Sequence, residues 1–307
     1  MNLEFNVGLK RILITGGTGY IGSSLAKTLC KLGCDVHIIV RKESNLILLS
    51  DIKDVVKIHI YEGQTLEMID IIRDINPNLI IHLASLFIGS HTSAQLQEMM
   101  ESNILFSTQV LEAASKSNIK YFINTGTHWQ NYNDESYNPV NLYAATKEAF
   151  EIISKYYLQT SNMRMITLKL IDTYGPFDPR SKIINLLKKI HSTGEVLHMS
   201  SGEQELGLLY VDDVIKAYLV AIEKIQEMKP KETETFLALP KEIYSLRSVV
   251  DIFQNVIGEN LNIKWGKKPY RDREMMKVYT KEKNILEGHD TLTLFEGIKL
   301  MVNIEKQ

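Results

Sequence analysis

The chain has 307 residues, 44% of them hydrophobic and 23% charged, and a formal net charge of −2. That composition suits a soluble globular protein with a large core and two coupled lobes. It excludes the basic field of a nucleic-acid binder, and no apolar run is long enough to span a bilayer. The opening "MNLEFNVGLK" has neither the apolar core nor the cleavage site of a signal peptide, so a cytoplasmic protein is expected. Cys30 and Cys34 are expected as unpaired thiols in a reducing compartment. The eight histidines show no metal-ligand spacing, so no metal is expected.

Apolar, β-rich runs alternate with helical patterns through the first half. The first strand, Arg11–Thr15, runs into a glycine turn and a helix over Ile21–Leu32 in "RILITGGTGYIGSSLAKTL". Gly16, Gly19 and Gly22 fit G-x-x-G-x-x-G, a variant of the dinucleotide fingerprint. Glycine lets the backbone approach a pyrophosphate, and the free N–H groups at the helix start face the anion. The strand before and the helix after strengthen the reading, and Thr18, Tyr20 and Ile21 belong to the same expected cofactor turn.

The second strand is Asp35–Val40. An NAD site usually ends this strand with an acid on the ribose 2′-hydroxyl, but here it ends in Arg41 and Lys42. Two cations suit a 2′-phosphate; solvated surface charges are the plain alternative. NADPH is the expected cofactor.

Strands over Val55–Tyr61, Leu79–Leu83, Tyr121–Thr125 and Arg164–Leu170 follow. Helices are expected over Leu66–Ile75, Glu98–Ser117 and Leu142–Gln159. Continuous apolar strands between helices imply a parallel sheet covered on both faces, the doubly wound α/β architecture. From Gly175 the texture changes to loops, a helix near Ile183–His191 and short strands. "LGLLYVDDVIKAYLVAIEKI" then supplies a further strand and helix. The expected organisation is a Rossmann-type lobe over 1–175 with a return segment at 206–240. A smaller α/β substrate lobe takes 176–205 and 241–307.

Two stretches carry chemistry. In "NLYAATKEAFEIISKYY", Tyr143 and Lys147 stand four apart near a helix start and share one face. A nearby cation favours the phenolate of a tyrosine and makes it a usable acid–base group. The other stretch is "TGTHWQ" at the end of the fifth strand, where Thr127 offers a hydroxyl and His128 and Trp129 follow. The long helix is apolar on more than one side, through Phe150, Ile152, Ile153, Tyr156, Tyr157 and Leu158. A helix apolar over most of its circumference is buried on a second side, so a homodimer is expected.

With "TGGTGYIG", "IIHLAS", "ESNILFSTQVLEAA", "YAATK", "DTYGP" and "YVDDV" in order, the chain resembles the extended short-chain dehydrogenases/reductases over nearly its whole length. These are nucleotide-sugar epimerases, dehydratases and reductases. The resemblance implies Tyr143 as catalytic acid–base, and Lys147 on the cofactor ribose, lowering the phenol's pKa. It implies Thr127 as the hydroxyl on the substrate carbonyl, and Leu83, Ala84 and Ser85 along the cofactor. Asn103 matches the family's helix-borne asparagine, with a polar residue on a helix face as the alternative. Dehydratases of this family follow the threonine with Asp-Glu, because elimination needs a separate acid and base. His128 and Trp129 stand there instead, so dehydration is rejected. Trp129 would wall the sugar, and His128 would bond either substrate or structure.

Several longer stretches resemble the branch of 4-ketoreductases that includes CDP-abequose and CDP-paratose synthases, which serve deoxysugar biosynthesis for surface polysaccharide. The resemblance thus implies NADPH-dependent reduction of a nucleotide-linked 4-keto sugar. An NAD-dependent epimerase and a non-catalytic NADPH sensor are the alternatives. Departures fall at Asp172, where relatives carry a diphosphate-side asparagine, and at Gln64, where they carry an acid. Arg271 matches a late arginine that could clamp the diphosphate.

Overall fold

A computed structural model describes residues 8–306; the opening residues read for a leader fall largely outside them. In chain order the elements begin β1 (Arg11–Thr15), α1 (Tyr20–Lys31), β2 (Asp35–Val40), β3 (Lys57–Ile60), α2 (Thr65–Ile75) and β4 (Leu79–His82). Then come α3 (Leu96–Met100), α4 (Phe106–Lys116), β5 (Tyr121–Thr127), α5 (Leu142–Thr160), β6 (Arg164–Leu170) and β7 (Asp172–Tyr174). The last part holds α6 (Ile183–Thr193), β8 (Leu197–His198), β9 (Glu205–Leu206), β10 (Leu208–Tyr210), α7 (Val211–Glu227) and β11 (Thr233–Ala238). It closes with β12 (Tyr244–Ser245), α8 (Leu246–Ile257), β13 (Ile263–Lys264) and α9 (Leu294–Glu305).

Seven strands form one sheet in the order β11-β6-β5-β4-β1-β2-β3, all paired in parallel. The chain leaves β1 toward β2 and β3, then returns to lay β4 on the other side. A doubly wound sheet binds its ligand at that switch point, beyond the carboxyl ends of the strands.

Alternation along each strand divides the core. Ile12, Ile14, Ile38 and Ile123 point to α1 and α7, with Leu25, Leu29, Val214 and Ile222 in the same cluster. Leu13, Ile80, Phe122 and Met165 point the other way, against Ile72 of α2, Val110 of α4 and Phe150 of α5. Both faces are dry, which is why these strands read as unbroken apolar runs. A third cluster lies apart, built by α6, α8 and α9 around Leu187, Val249, Phe253 and Ile298.

Three boundaries differ from expectation. β5 runs two residues further, to Thr127, because Gly126 and Thr127 keep pairing with Lys169 and Leu170 of β6. β3 is shorter and is an edge strand. The single helix expected over Glu98–Ser117 is α3 and α4 joined by a π-helical turn over Glu101–Leu105. Strand β11 and helices α8 and α9 were not among the expected elements. Cys30 and Cys34 are unpaired, and burial pushes both thiols up. Among the described residues no helix is long and apolar enough to cross a membrane.

Candidate active site

The glycine turn lies between β1 and α1 at the switch point. Gly16 takes φ +73°, and a Cβ there would sit 2.6 Å from the Ala84 nitrogen. A Cβ on Gly22 would run into the Gly16 carbonyl oxygen. The turn thus packs directly on the backbone leaving β4. Gly19 caps α1 without any side-chain hydrogen bond, and no acid occupies the first turn. The opening N–H groups of α1 are therefore available to an anion, as a dinucleotide pyrophosphate requires.

On the other side of the cleft β5 delivers Thr127. It opens a short 3₁₀ turn, and its Oγ1 accepts a hydrogen bond from the Trp129 N–H at 3.3 Å. A hydroxyl that accepts in this way keeps its own proton for a further partner. The Thr127 N–H donates to Gln130 Oε1 at 2.9 Å. Gln130 Nε2 in turn donates to Glu148 at 2.8 Å and Glu151 at 2.6 Å. Those acids stand on α5 just after Lys147, Glu148 next to it and Glu151 one turn on. Asn141 caps α5 by accepting from the Ala144 N–H at 2.9 Å, which sets where Tyr143 and Lys147 begin. Thr127, Tyr143 and Lys147 all line the same cleft as Gly16, Gly19 and Gly22.

Burial governs protonation here. It pushes the Tyr143 phenol up to about 12, with a hydrogen bond to Ser85 as the opposing cause. The expectation that Lys147 lowers this phenol is thus not what the geometry gives. At neutral pH the phenol is protonated, the form a proton donor needs. Burial lowers Lys147 to about 8, while Glu151 raises it. His128 is brought down to about 4 by burial, with Asp172 raising and Lys182 lowering it. Burial pushes the Asp172 carboxyl up, but Lys182, His128 and Arg180 outweigh it and hold it below the usual range.

Leu83, Ser85, Ile21, His128, Trp129 and Asp172 also line the cleft. Tyr20 lines the cleft as well, while its ring packs in the third cluster and its hydroxyl donates to the Pro176 carbonyl at 3.0 Å. Ala84 lies against the turn, with its N–H 3.4 Å from Thr15 Oγ1. Thr18 is half-buried, and Arg41 and Lys42 are exposed at the end of β2. Asn103 departs from its assignment. It is 3% exposed, accepts from the Leu86 N–H at 2.7 Å and donates to Leu86 O and Thr146 Oγ1, both at 3.0 Å. With its amide spent on these groups it anchors the loop after β4 rather than a cofactor. Asp172, in the cleft lining, is tied to Lys182 at 2.8 Å. Arg271 is exposed, 5.9 Å over the Trp129 ring.

Four residues of the site escaped the sequence reading. Thr127-x-x-Gln130 is a capping box, legible as such. Phe87 stands edge-on to Tyr143 at 4.9 Å and 5.7 Å from Trp129, half-exposed at the mouth. Lys182 lies 4.8 Å over the Phe87 ring, and Arg180 lies 4.9 Å over Tyr20. No local pattern marks these three.

The NAD dependent epimerase/dehydratase family matches residues 12–235. The CDP-abequose synthase of Yersinia pseudotuberculosis is 29% identical over 283 residues, covering 92% of this chain and 96% of that protein. Its namesake from Salmonella typhimurium is 25% identical over 279 residues, covering 89% of this chain and 90% of its own length. Among solved structures, the UDP-glucose 4-epimerase of Thermotoga maritima with UDP-glucose superposes with a TM-score of 0.83. It shares 22% identity and covers 96% of this chain and 98% of its own. The UDP-glucose-4-epimerase of Stenotrophomonas maltophila, with bound NAD and formylated UDP-arabinopyranose, gives 0.84 at 15% identity, covering 97% and 98%. These two likenesses show the Rossmann-type fold.

Lys147 gives a stability test. Its folded pKa of about 8 lies below the ordinary 10.5, so the unfolded chain binds its proton more tightly. The resulting destabilisation is full below about pH 8 and fades as pH rises toward 10.5. A depression of this size, in which the opposing pull of Glu151 is already included, is worth about 3 kcal/mol. Lys147→Met is expected to raise the stability at pH 7 by roughly 1–3 kcal/mol, with the gain shrinking by pH 10. Urea midpoints at the two pH values check this; a less stable variant, or a pH-independent difference, contradicts it.

Proposed function

This chain belongs to the NAD dependent epimerase/dehydratase family, and on that premise we propose that it is an NADPH-dependent nucleotide-sugar 4-ketoreductase. Its substrate in this reading is a CDP-linked 4-keto-6-deoxy or 3,6-dideoxy hexose of deoxysugar biosynthesis. One observation carries the reading: Thr127 with an uncommitted hydroxyl proton and Tyr143 with a protonated phenol line one cleft. The adjoining His128 and Trp129 bring no carboxylate for elimination. The two CDP-abequose synthases, similar over most of their length, support the substrate class.

When bound, the reduced nicotinamide supplies the hydride to the sugar C4. Thr127 donates a hydrogen bond to the carbonyl oxygen, and Tyr143 delivers its proton there as negative charge grows. Lys147 holds the ribose, and the hydrogen bond to Ser85 eases loss of the phenolic proton. The turn from Gly16 to Gly22 takes the pyrophosphate, Leu83, Ala84 and Ser85 flank the cofactor, and Arg41 and Lys42 take the 2′-phosphate. Phe87 and Trp129 keep water from the reacting carbon, and Arg271 reaches the nucleotide diphosphate. Residues 1–175 with 206–240 hold the dinucleotide, while 176–205 and 241–307 close on the sugar. The competing reading is an epimerase that retains NAD and consumes no NADPH.

Positioned acid catalysis is worth roughly 10²–10⁴-fold. Tyr143→Phe should therefore lower kcat by about that factor on CDP-linked 4-keto sugars, with NADPH affinity nearly unchanged. Thr127→Val should cost roughly 10–10³-fold, as a single oxyanion donor does. NADPH oxidation at 340 nm reads both, and wild-type turnover by Tyr143→Phe would end the mechanism.

For the cofactor, kcat/KM with NADPH should exceed that with NADH by at least about tenfold, or about 1.4 kcal/mol. Arg41→Ala should reduce NADPH use far more than NADH use; equal losses would remove the assignment.

The outer faces of α3 to α5 leave Leu105, Ile152 and Tyr156 exposed, and we assign them to a two-fold contact with a second copy. Light scattering at micromolar concentration should give a dimer mass. A monomer mass there rejects the contact.

A further inference from the structure

Beside Thr127 the cleft is lined by three polar side chains from separate segments: His128, Asp172 and Lys182. Lys182 Nζ lies 2.8 Å from Asp172 Oδ1. The same ammonium stands 4.8 Å over the Phe87 ring, so it has one ionic and one aromatic neighbour. His128 is 6% exposed, and its Nδ1 is buried without a hydrogen-bond partner among the described residues. A buried ring nitrogen left in that condition is costly unless something enters to bond it. The cleft it lines is where such a partner would enter.

The charges say what that partner is. One carboxylate and one ammonium cancel, the Arg180 guanidinium that also lines the cleft is paired with Asp178 at 2.8 Å, and the imidazole, held down to about 4 chiefly by burial, is neutral at pH 7. The cluster thus presents donors and acceptors together with no net charge. A phosphate or a sugar carboxylate would find its attraction to Lys182 offset by Asp172 at contact distance. A neutral hydroxyl, which both donates and accepts, matches all three groups. Phe87 and Trp129, 5.7 Å apart, supply an apolar surface in the same cleft that suits a deoxygenated carbon.

We propose that His128, Asp172 and Lys182 together read a ring hydroxyl close to the reacting carbonyl, and so decide which deoxy pattern of sugar the protein accepts. The inference rests on the nucleotide-sugar reading above, but not on ketone reduction. A site built to bond a hydroxyl rejects the analogue that lacks it, because its buried polar groups are then left unpaired.

The test is calorimetric binding in the presence of NADPH, using CDP-glucose and UDP-glucose with their 2-deoxy and 3-deoxy counterparts. Wild type should bind the hydroxylated sugar at least about tenfold more tightly than one of the two deoxy forms, about 1.4 kcal/mol. His128→Phe and Lys182→Met should each bring that ratio below about threefold, with NADPH affinity, read by fluorescence, moved less than about twofold. Asp172→Asn leaves Lys182 uncompensated, so affinity for UDP-glucuronic acid relative to UDP-glucose should rise by about tenfold; a purely structural role would not produce that gain. Equal binding of all deoxy forms by wild type overturns the proposal, as does a preference that survives in His128→Phe and Lys182→Met, or no binding at all. If 4-keto sugars are not reduced but the hydroxyl preference is present and lost in the variants, the reduction fails and this inference stands.

Discussion

The site depends on one amide. Gln130 is fully buried and accepts from the Thr127 N–H while donating to both Glu148 and Glu151. A primary amide alone among uncharged side chains can accept at one end and donate twice at the other. A glutamate there would set a third carboxylate against two, and a leucine would leave all three partners unmet. Gly126 makes room for it, since a Cβ at that position would come within 2.8 Å of Gln130 Oε1. Through this bond the end of β5 is fixed against the first turns of α5. Thr127, Tyr143 and Lys147 come from two elements, and Gln130 makes their spacing a property of the fold rather than of a bound ligand.

The same region shows how the protein tolerates charge inside. Lys169, 4% exposed on β6, bonds Asn131 and Glu282 at 2.8 Å each and faces the Tyr279 ring at 5.5 Å. Glu151 is raised chiefly by burial, with Gln130 and Lys169 opposing. Such buried pairs add little net stability over apolar packing, but losing one partner is severe. Their effect is to fix geometry: Lys169 and Glu282 tie β6 to the late segment beside the cleft, and Gln130 and Glu151 tie β5 to α5.

Legibility in the sequence followed the range of the interactions. The strands of the sheet other than β11, and the helices on it, were visible because their contacts impose periods of two and 3.6 on neighbouring residues. The glycine turn was visible because its steric demand is local. Asn103 was misplaced for the opposite reason: its position on a helix is readable, whereas its bonds to Leu86 and Thr146 run to loops and helices elsewhere. The π-helical turn that holds it likewise has no signature in the apolar pattern. Phe87 and Lys182 meet only because the loop after β4 and the segment before α6 converge on one cleft. The raised Tyr143 phenol was missed because helical spacing supplies a neighbouring cation but says nothing of burial, which here is the larger cause.

The segment from Gly175 to Lys182 touches both sides of the cleft. Tyr20 opens α1, at the point where a dinucleotide would sit, yet its ring belongs to the third core cluster. Its hydroxyl bonds Pro176, and a Cβ on Gly175 would fall 2.5 Å from that oxygen. Arg180 covers the ring and is itself held by Asp178 at 2.8 Å. Two residues further on, Lys182 reaches Asp172 and Phe87. The segment from Gly175 to Lys182 therefore bears on the start of α1 at one end and on the sugar side of the cleft at the other. The start of α1 and the polar wall are thus joined by one run of packed side chains, from Tyr20 through Arg180 to Lys182.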